Sequence, residues 1–211
     1  MKSYGQRCPL ARALDLIGER WTFLVVRELL LGPRRYTDLL DGLPGVGTNI
    51  LAARLATLQS AGLVAKRALP APTAVTVYEL TDAGRALRPT VRALSEWGEE
   101  HGAPVTDEQT VRPGWILSSV ARRGSRLQDG CSCELWVGRD VFELAAADGE
   151  LSVAAGRATS PDAVVTMGPD VFYALATRRT TPRAARGRVD VEGDASVATG
   201  VLDALSGAAP G

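Results

Sequence analysis

The residues from Leu43 to Val64 (LPGVGTNILAARLATLQSAGLV) constrain what this chain can fold into more than any other stretch. Pro44, Gly45 and Gly47 break whatever precedes them, so a turn comes first. Thr48 or Asn49 is placed to cap a helix, because a short side-chain oxygen accepts the free amides of a first turn. Leu51, Leu55 and Leu58 recur at i, i+4 and i+7 and make one apolar stripe. Gly62 stands where a C′ glycine ends a helix, and a strand-like run begins at Leu63. The opposite face carries Thr48, Asn49, Ala52, Ala53, Arg54 and Thr57, and of these only Arg54 is charged. A solvated surface helix is usually filled with Glu and Lys, and this one has neither. A helix entering the major groove needs such a slim face, with donors that reach base edges or phosphates. The competing reading is an ordinary helix packed by its leucines, and the flanking segments weigh against it.

Pro9 to Ile17 is apolar at Leu10, Leu14 and Ile17, a helical pattern with proline in the first turn. Trp21 to Leu31 is apolar almost all round and reads as a buried helix, stopped by Gly32-Pro33. Arg34 to Leu40 reads as a short third helix, and the turn at Pro44 leads into the fourth. This is the helix-turn-helix arrangement. Leu63 to Leu69 and Thr76 to Leu80 read as a hairpin, a wing, around a loop (PAPTA) without charge. Lys66 and Arg67 on it are candidates for phosphate contact, or for simple solvation. Thr81 then caps a long helix from Asp82 to about His101, which Pro89 is expected to kink. Leu87, Val91, Leu94 and Trp97 stripe one side of that helix, which suits a homodimer contact better than the alternative, packing against its own domain.

Residues 5–102 resemble the HxlR-type winged-helix regulators of bacteria. The matching pieces are Cys8-Pro9, Gly18 to Trp21 (GERW), Leu29 to Gly32 (LLLG) and Arg35 to Leu39 (RYTDL). They continue through Leu51, Arg54-Leu55, Leu58, Ala61 to Val64 (AGLV), Tyr78 to Thr81 (YELT), Gly84 and Trp97, in order and at the family's spacing. The resemblance implies a winged helix-turn-helix domain over residues 1–102 that dimerises and binds double-stranded DNA at a palindromic operator. Thr48, Asn49 and Ala52 are then expected at base edges, and Arg35, Tyr36, Arg54, Lys66 and Arg67 nearer phosphate. The start of the recognition helix is less basic than is usual in the family, and the wing tip lacks the usual basic residue. Cys8 matches a cysteine that senses electrophiles or oxidants in part of the family.

Gly102 to Pro113 is polar, with proline at its end, and reads as a linker. Beyond it Trp115 to Ala121 suggests a helix, and four strands follow at Cys131–Val137, Val141–Ala147, Leu151–Ala155 and Ala163–Met167. An antiparallel meander is expected of them. A helix at Pro169–Thr177, a strand at Val189–Glu192 and a helix at Asp194–Leu205 close the chain. Residues 113–211 resemble sterol-carrier-protein-type domains in Leu144 to Leu151 (LAAADGEL), Pro161 to Ala163 (PDA) and Val191 to Asp194 (VEGD). That resemblance implies an antiparallel sheet covered by helices over an apolar cavity, so the whole chain is α+β. Trp115, Phe142, Phe172 and Tyr173 are candidates to line the cavity, and equally to fill a solid core.

The net charge is zero, but residues 1–102 hold 13 basic against 10 acidic side chains and the remainder 11 against 14. A DNA-binding first half needs only a local basic excess. No apolar run is long enough to span a bilayer, and the start (MKSYGQRCPLAR) lacks a signal-peptide core. A cytoplasmic protein without membrane contact is expected, with its three cysteines reduced. Cys131 and Cys133 share a strand face with Leu135 and Val137, which favours buried thiols over a metal or redox site. With one histidine, His101, and no Ser-His-Asp order or phosphate loop, neither enzyme nor cofactor is expected. The chain reads as a dimeric DNA-binding regulator whose second domain takes an apolar small molecule or only adds interface. The alternative is a lipid-carrier-like module whose first domain only dimerises.

Overall fold

The computed structural model describes residues 3–70, 75–103, 106, 109–120, 127–147 and 149–207. The chain divides into two compact units, Met1–Glu100 and His101–Gly211. Both mix helix and sheet, so the chain is α+β.

In the first unit α1 (Pro9–Ile17) starts with proline, whose missing N–H costs nothing in a first turn. It buries Ala11 and Ile17 but leaves Leu10 67% and Leu14 38% exposed, so the expected stripe divides between core and surface. Trp21, in the left-handed region at φ 76°, turns the chain into α2 (Thr22–Leu29). Val25, Val26 and Leu29 of α2 are buried, as is Glu28, whose carboxylate accepts from the Arg27 guanidinium at 2.8 Å. α3 (Tyr36–Gly42) begins two residues later than the expected Arg34. Arg34 exchanges backbone hydrogen bonds of 2.9 and 2.7 Å with Tyr78, so its carbonyl, which would accept the first intrahelical bond, is engaged by the wing instead.

The fourth helix, α4 (Thr48–Ser60), has Gly47 as its N-cap and no side-chain cap. The expectation that Thr48 or Asn49 caps it is therefore corrected: both lie within the first turn. Leu51, Leu55 and Leu58 are buried against α2 and the rest of the first core, and Gly62 turns out of the helix at φ +70°. β1 (Val64–Ala68) and β2 (Thr76–Leu80) pair antiparallel from Val64↔Leu80 to Ala68↔Thr76. The wing tip, residues 71–74, lies outside the described residues.

The single long helix expected from Asp82 is two helices, α5 (Asp82–Arg85) and α6 (Arg88–His101). Pro89 causes the break: it lacks an N–H, and its ring excludes the carbonyl four residues back. Thr81 caps α5 as expected, accepting from the Gly84 amide at 3.1 Å and donating to the Gly62 carbonyl at 2.7 Å. Gly84 faces the Leu63 carbonyl so closely that a Cβ there would overlap its oxygen.

The second unit opens with α7 (Pro113–Val120), which begins two residues before the expected Trp115; the expected end at Ala121 lies outside the described residues. β3 (Ser132–Val137), β4 (Asp140–Ala147) and β5 (Glu150–Ala155) form an antiparallel meander. β6 (Ala163–Met167) does not extend it. It crosses to the far side of β3 and pairs with that strand in parallel, Cys133 opposite Ala163. The fully antiparallel expectation is corrected to a mixed sheet of order β5-β4-β3-β6-β7, with β7 (Val189–Gly193) antiparallel to β6. The crossing is feasible because seven residues, 156–162, reach up to roughly 23 Å, and three strand spacings take about 14 Å.

One face of this sheet is apolar. Cys133, Leu135, Phe142, Leu144, Val153, Val165 and Met167 point to it and are buried. The cover comes from α7, α8 (Pro169–Ala176) and α10 (Ala195–Ser206), with the short α9 (Pro182–Ala185) beside α8 and α10. On the other face Glu134 is only 5% exposed. Its carboxylate accepts from the Trp136 indole at 2.8 Å and the Ala158 amide at 3.0 Å, and Arg157 stands 3.6 Å away. A buried charge must be paired, and here the pairing straps the crossover loop to the sheet. Asp162 in that loop accepts from the Ser132 amide at 2.7 Å, and its carbonyl accepts from Asp194 at 2.8 Å. Asp194 then caps α10, and hydrogen bonds from Ser196 and Val197 hold its carboxyl below the usual range. Gly193, at φ +84°, lets the two segments meet at Asp162.

Gly84→Ala should cost about 1–3 kcal/mol, the usual penalty of overpacking against immobile backbone. Urea unfolding of the variant is expected to show a lower midpoint with an unchanged slope. An unaltered midpoint would mean that the contact with Leu63 is looser than described.

Candidate nucleic-acid interface

Burial of the leucine stripe decides which side of α4 meets solvent. Thr48, Asn49, Ala52 and Ala53 are exposed, and the Thr48 and Asn49 side chains hold no internal hydrogen bond among the described residues. The uncapped first turn also presents free amides at the positive end of the helix dipole, an arrangement suited to phosphate. The Tyr36 hydroxyl donates to the Thr48 carbonyl at 2.7 Å, fixing α3 to the start of α4. Arg35 is exposed at the N-cap of α3, where its amide donates to the Asp38 carboxylate at 3.1 Å.

Arg54 departs from the expected free face. Its side chain is 19% exposed and lies 3.4 Å from the Glu19 carboxylate, so its charge is already partnered within the unit. The two basic wing residues point to opposite sides of β1, as successive positions on a strand must. Arg67 forms a bidentate pair with Glu79 at 2.9 and 3.0 Å, which raises its pKa further and leaves no free charge for phosphate. Lys66 has no acidic partner among the described residues and stands 5.9 Å over the Tyr78 ring. Of the expected cations near phosphate, Arg35 and Lys66 are therefore the exposed and acid-free ones on the described surface.

The stripe on α6 also divides. Val91 is buried in the unit's own core, and Leu87, half-buried, packs against that core. Leu94 and Trp97 are 48% and 63% exposed. Tyr4, Leu10 and Leu14 form a second exposed apolar group, the two leucines belonging to the helical pattern of α1. Cys8 is exposed at a 210 Å³ surface pocket lined by Tyr4, Gln6, Leu10, Ala11 and Leu14. Cys133 is buried, and burial pushes its thiol up to about 12; Cys131 is half-buried just before β3. Among the described residues no group of His, Cys, Asp and Glu is placed to hold a metal. In the second unit Phe142 and Phe172 are buried between sheet and helices, while Trp115 and Tyr173 are half-buried. Among the described residues no helix is long and apolar enough to cross a membrane.

A helical core, a recognition helix whose exposed first turn carries no charge and a two-stranded wing define a winged helix-turn-helix DNA-binding regulator. The HxlR-like helix-turn-helix family matches residues 16–106, and the SCP-2 sterol transfer family matches residues 133–206. An HTH-type transcriptional regulator of Synechocystis sp. is 36% identical over 96 residues, which are 46% of this chain and 71% of that one. The regulator YvaP of Bacillus subtilis is 33% identical over 96 residues, 45% of this chain and 89% of that one. Among solved structures, reduced YodB of Bacillus subtilis is 28% identical, covers 48% of this chain and 100% of that one, and has a TM-score of 0.42. The chain belongs to the HxlR-like helix-turn-helix family of transcriptional regulators, and its second unit matches the SCP-2 sterol transfer family.

The thiol environments give a direct check. At pH 8 a thiol of pKa about 12 is thiolate to roughly one part in ten thousand, so Cys133 should resist alkylation in the folded chain. Mass spectrometry after brief iodoacetamide treatment is expected to find Cys8 labelled and Cys133 unmodified. Equal labelling of the two would place Cys133 outside the core.

Proposed function

We propose that the chain regulates transcription, rather than catalysing a reaction, as a two-fold dimer on a palindromic operator. Thr48, Asn49 and Ala52 read base edges, and Arg35 and Lys66 hold phosphate. The exposed, uncharged start of α4 is the observation that carries this reading: its polar groups are free, and no Glu or Lys keeps them from a groove. Asn49→Ala should cost roughly 1–3 kcal/mol on the cognate site and little on random DNA, as loss of a bidentate base contact does. Lys66→Ala should weaken both alike and flatten the salt dependence. Fluorescence anisotropy over a salt series measures both. If the two variants lose the same affinity on specific and random duplex, Asn49 is not a reader of sequence.

The dimer contact is assigned to Leu94 and Trp97 on α6, because two large apolar side chains exposed three residues apart on one helix face make a contiguous patch of the kind that marks an interface. Leu94→Glu should sediment as a monomer with little operator affinity. An intact dimer of that variant would remove α6 from the contact.

The second unit, on this reading, takes an apolar small molecule between its sheet and helices, near Trp115, Phe142, Phe172 and Tyr173. Such a ligand alters operator affinity only through different affinity for two arrangements of the dimer. The segment from Gly102 to Pro113 is the covalent lever between them. A second input is favoured by Cys8, exposed in the pocket beside Leu10 and Leu14. Its modification would change an apolar surface of the first unit without any ligand in the second.

A further inference from the structure

The second unit is acidic overall, yet one segment of it is not. Residues 178–188 (RRTTPRAARGR) hold five arginines and no acidic residue. They run from the end of α8 through α9 and a 3-10 turn at Arg186–Arg188 into β7. All five arginines are exposed. Arg188 pairs with Asp170, and Arg179 lies 5.7 Å over the Tyr173 ring. Arg178, Arg183 and Arg186 have no acidic partner among the described residues. Arg178 is also at φ 58°, a left-handed position just past the helix where glycine costs least.

A cluster of uncompensated guanidinium groups on one short segment fits a polyanion with regularly spaced phosphates. The first unit already brings one to the chain. Tethering makes the second contact intramolecular, so weak phosphate contacts count for more than they would alone. From this we infer that Arg178, Arg183 and Arg186 bind the backbone of the DNA beside the operator, extending the contact beyond the winged helix. The segment supplies affinity and salt dependence but no base readout, because guanidinium–phosphate contacts carry no sequence information.

The inference rests on operator binding by the first unit, and the experiment separates the two. The full chain and its R178Q/R183Q/R186Q variant are titrated with an operator duplex carrying flanks, and with random duplex, over a series of salt concentrations. Each lost phosphate contact should reduce the slope of log K against log salt by about 0.9. The variant is expected to lose roughly two to three units of slope per protomer, and at least tenfold affinity at low salt, on both duplexes. Its urea midpoint should match the parent, and R183Q/R186Q, which leaves the strained Arg178 untouched, should show a smaller change of the same kind. An unchanged slope in a chain that still binds operator overturns this inference alone. Failure of the parent chain to bind any operator instead strikes the reading of the first unit. Loss of binding confined to phosphatidylserine vesicles, with DNA titrations unchanged, overturns the inference in favour of a lipid surface.

Discussion

The burial of Leu51, Leu55 and Leu58 beneath α4 is the contact on which the rest of the first unit depends. A leucine moved from water to a core contributes about 1.5–3 kcal/mol, so three of them on one stripe leave the helix a single favourable rotation. That rotation alone puts Thr48, Asn49 and Ala52 outward. The remaining contacts refine it: the Tyr36 hydroxyl holds the start of α4, and Gly62 ends it. Gly84 lets α5 close on the Leu63 carbonyl directly after. Polar contacts of this kind are each worth about 0.5–1.5 kcal/mol net, less than one leucine. The outward face of α4 is therefore set by apolar packing on the opposite side of the helix.

The second unit solves a different problem. Its sheet buries one face under helices and would otherwise leave the reverse open, with a short loop obliged to cross it. Glu134 turns that obligation into a clamp, gathering Trp136, Arg157 and the Ala158 amide around one carboxylate. Asp162 and Asp194 continue the chain of contacts into α10, through a glycine that no side chain could replace without overlap. The parallel pairing of β3 with β6 and the buried acid thus belong to one arrangement.

Most of the helices, the wing and the five strands of the second unit are legible in the sequence because their patterns are local: a leucine every three or four residues, alternation in strands, glycine at the ends; the short α9 carries no such pattern. What was missed depends on partners far along the chain. Arg34 joins the wing because Tyr78 takes its amide, and no propensity of Arg34 announces that. Val91 lies in the unit's own core, with Leu87 packed against it, although both share a stripe with the exposed Leu94 and Trp97; periodicity locates a stripe but not how far a core extends along it. Pro89 was visible, and its effect was underestimated as a kink where the helix breaks. Arg54 and Arg67 looked like free cations because Glu19 and Glu79 are distant in sequence. The parallel strand went unread because an antiparallel meander needs no crossover, and the residues that secure the crossover, Glu134 and Asp162, resemble ordinary surface acids.

The central claim is that α4 enters the major groove in a two-fold pair. Hydroxyl-radical footprinting of the full chain on the DNA upstream of its own gene tests this most directly. The account predicts two symmetric protected segments whose centres lie about 10–10.5 base pairs apart, or a multiple of that, the spacing of successive major-groove faces. A single protected segment, or protection without any dyad, would contradict it.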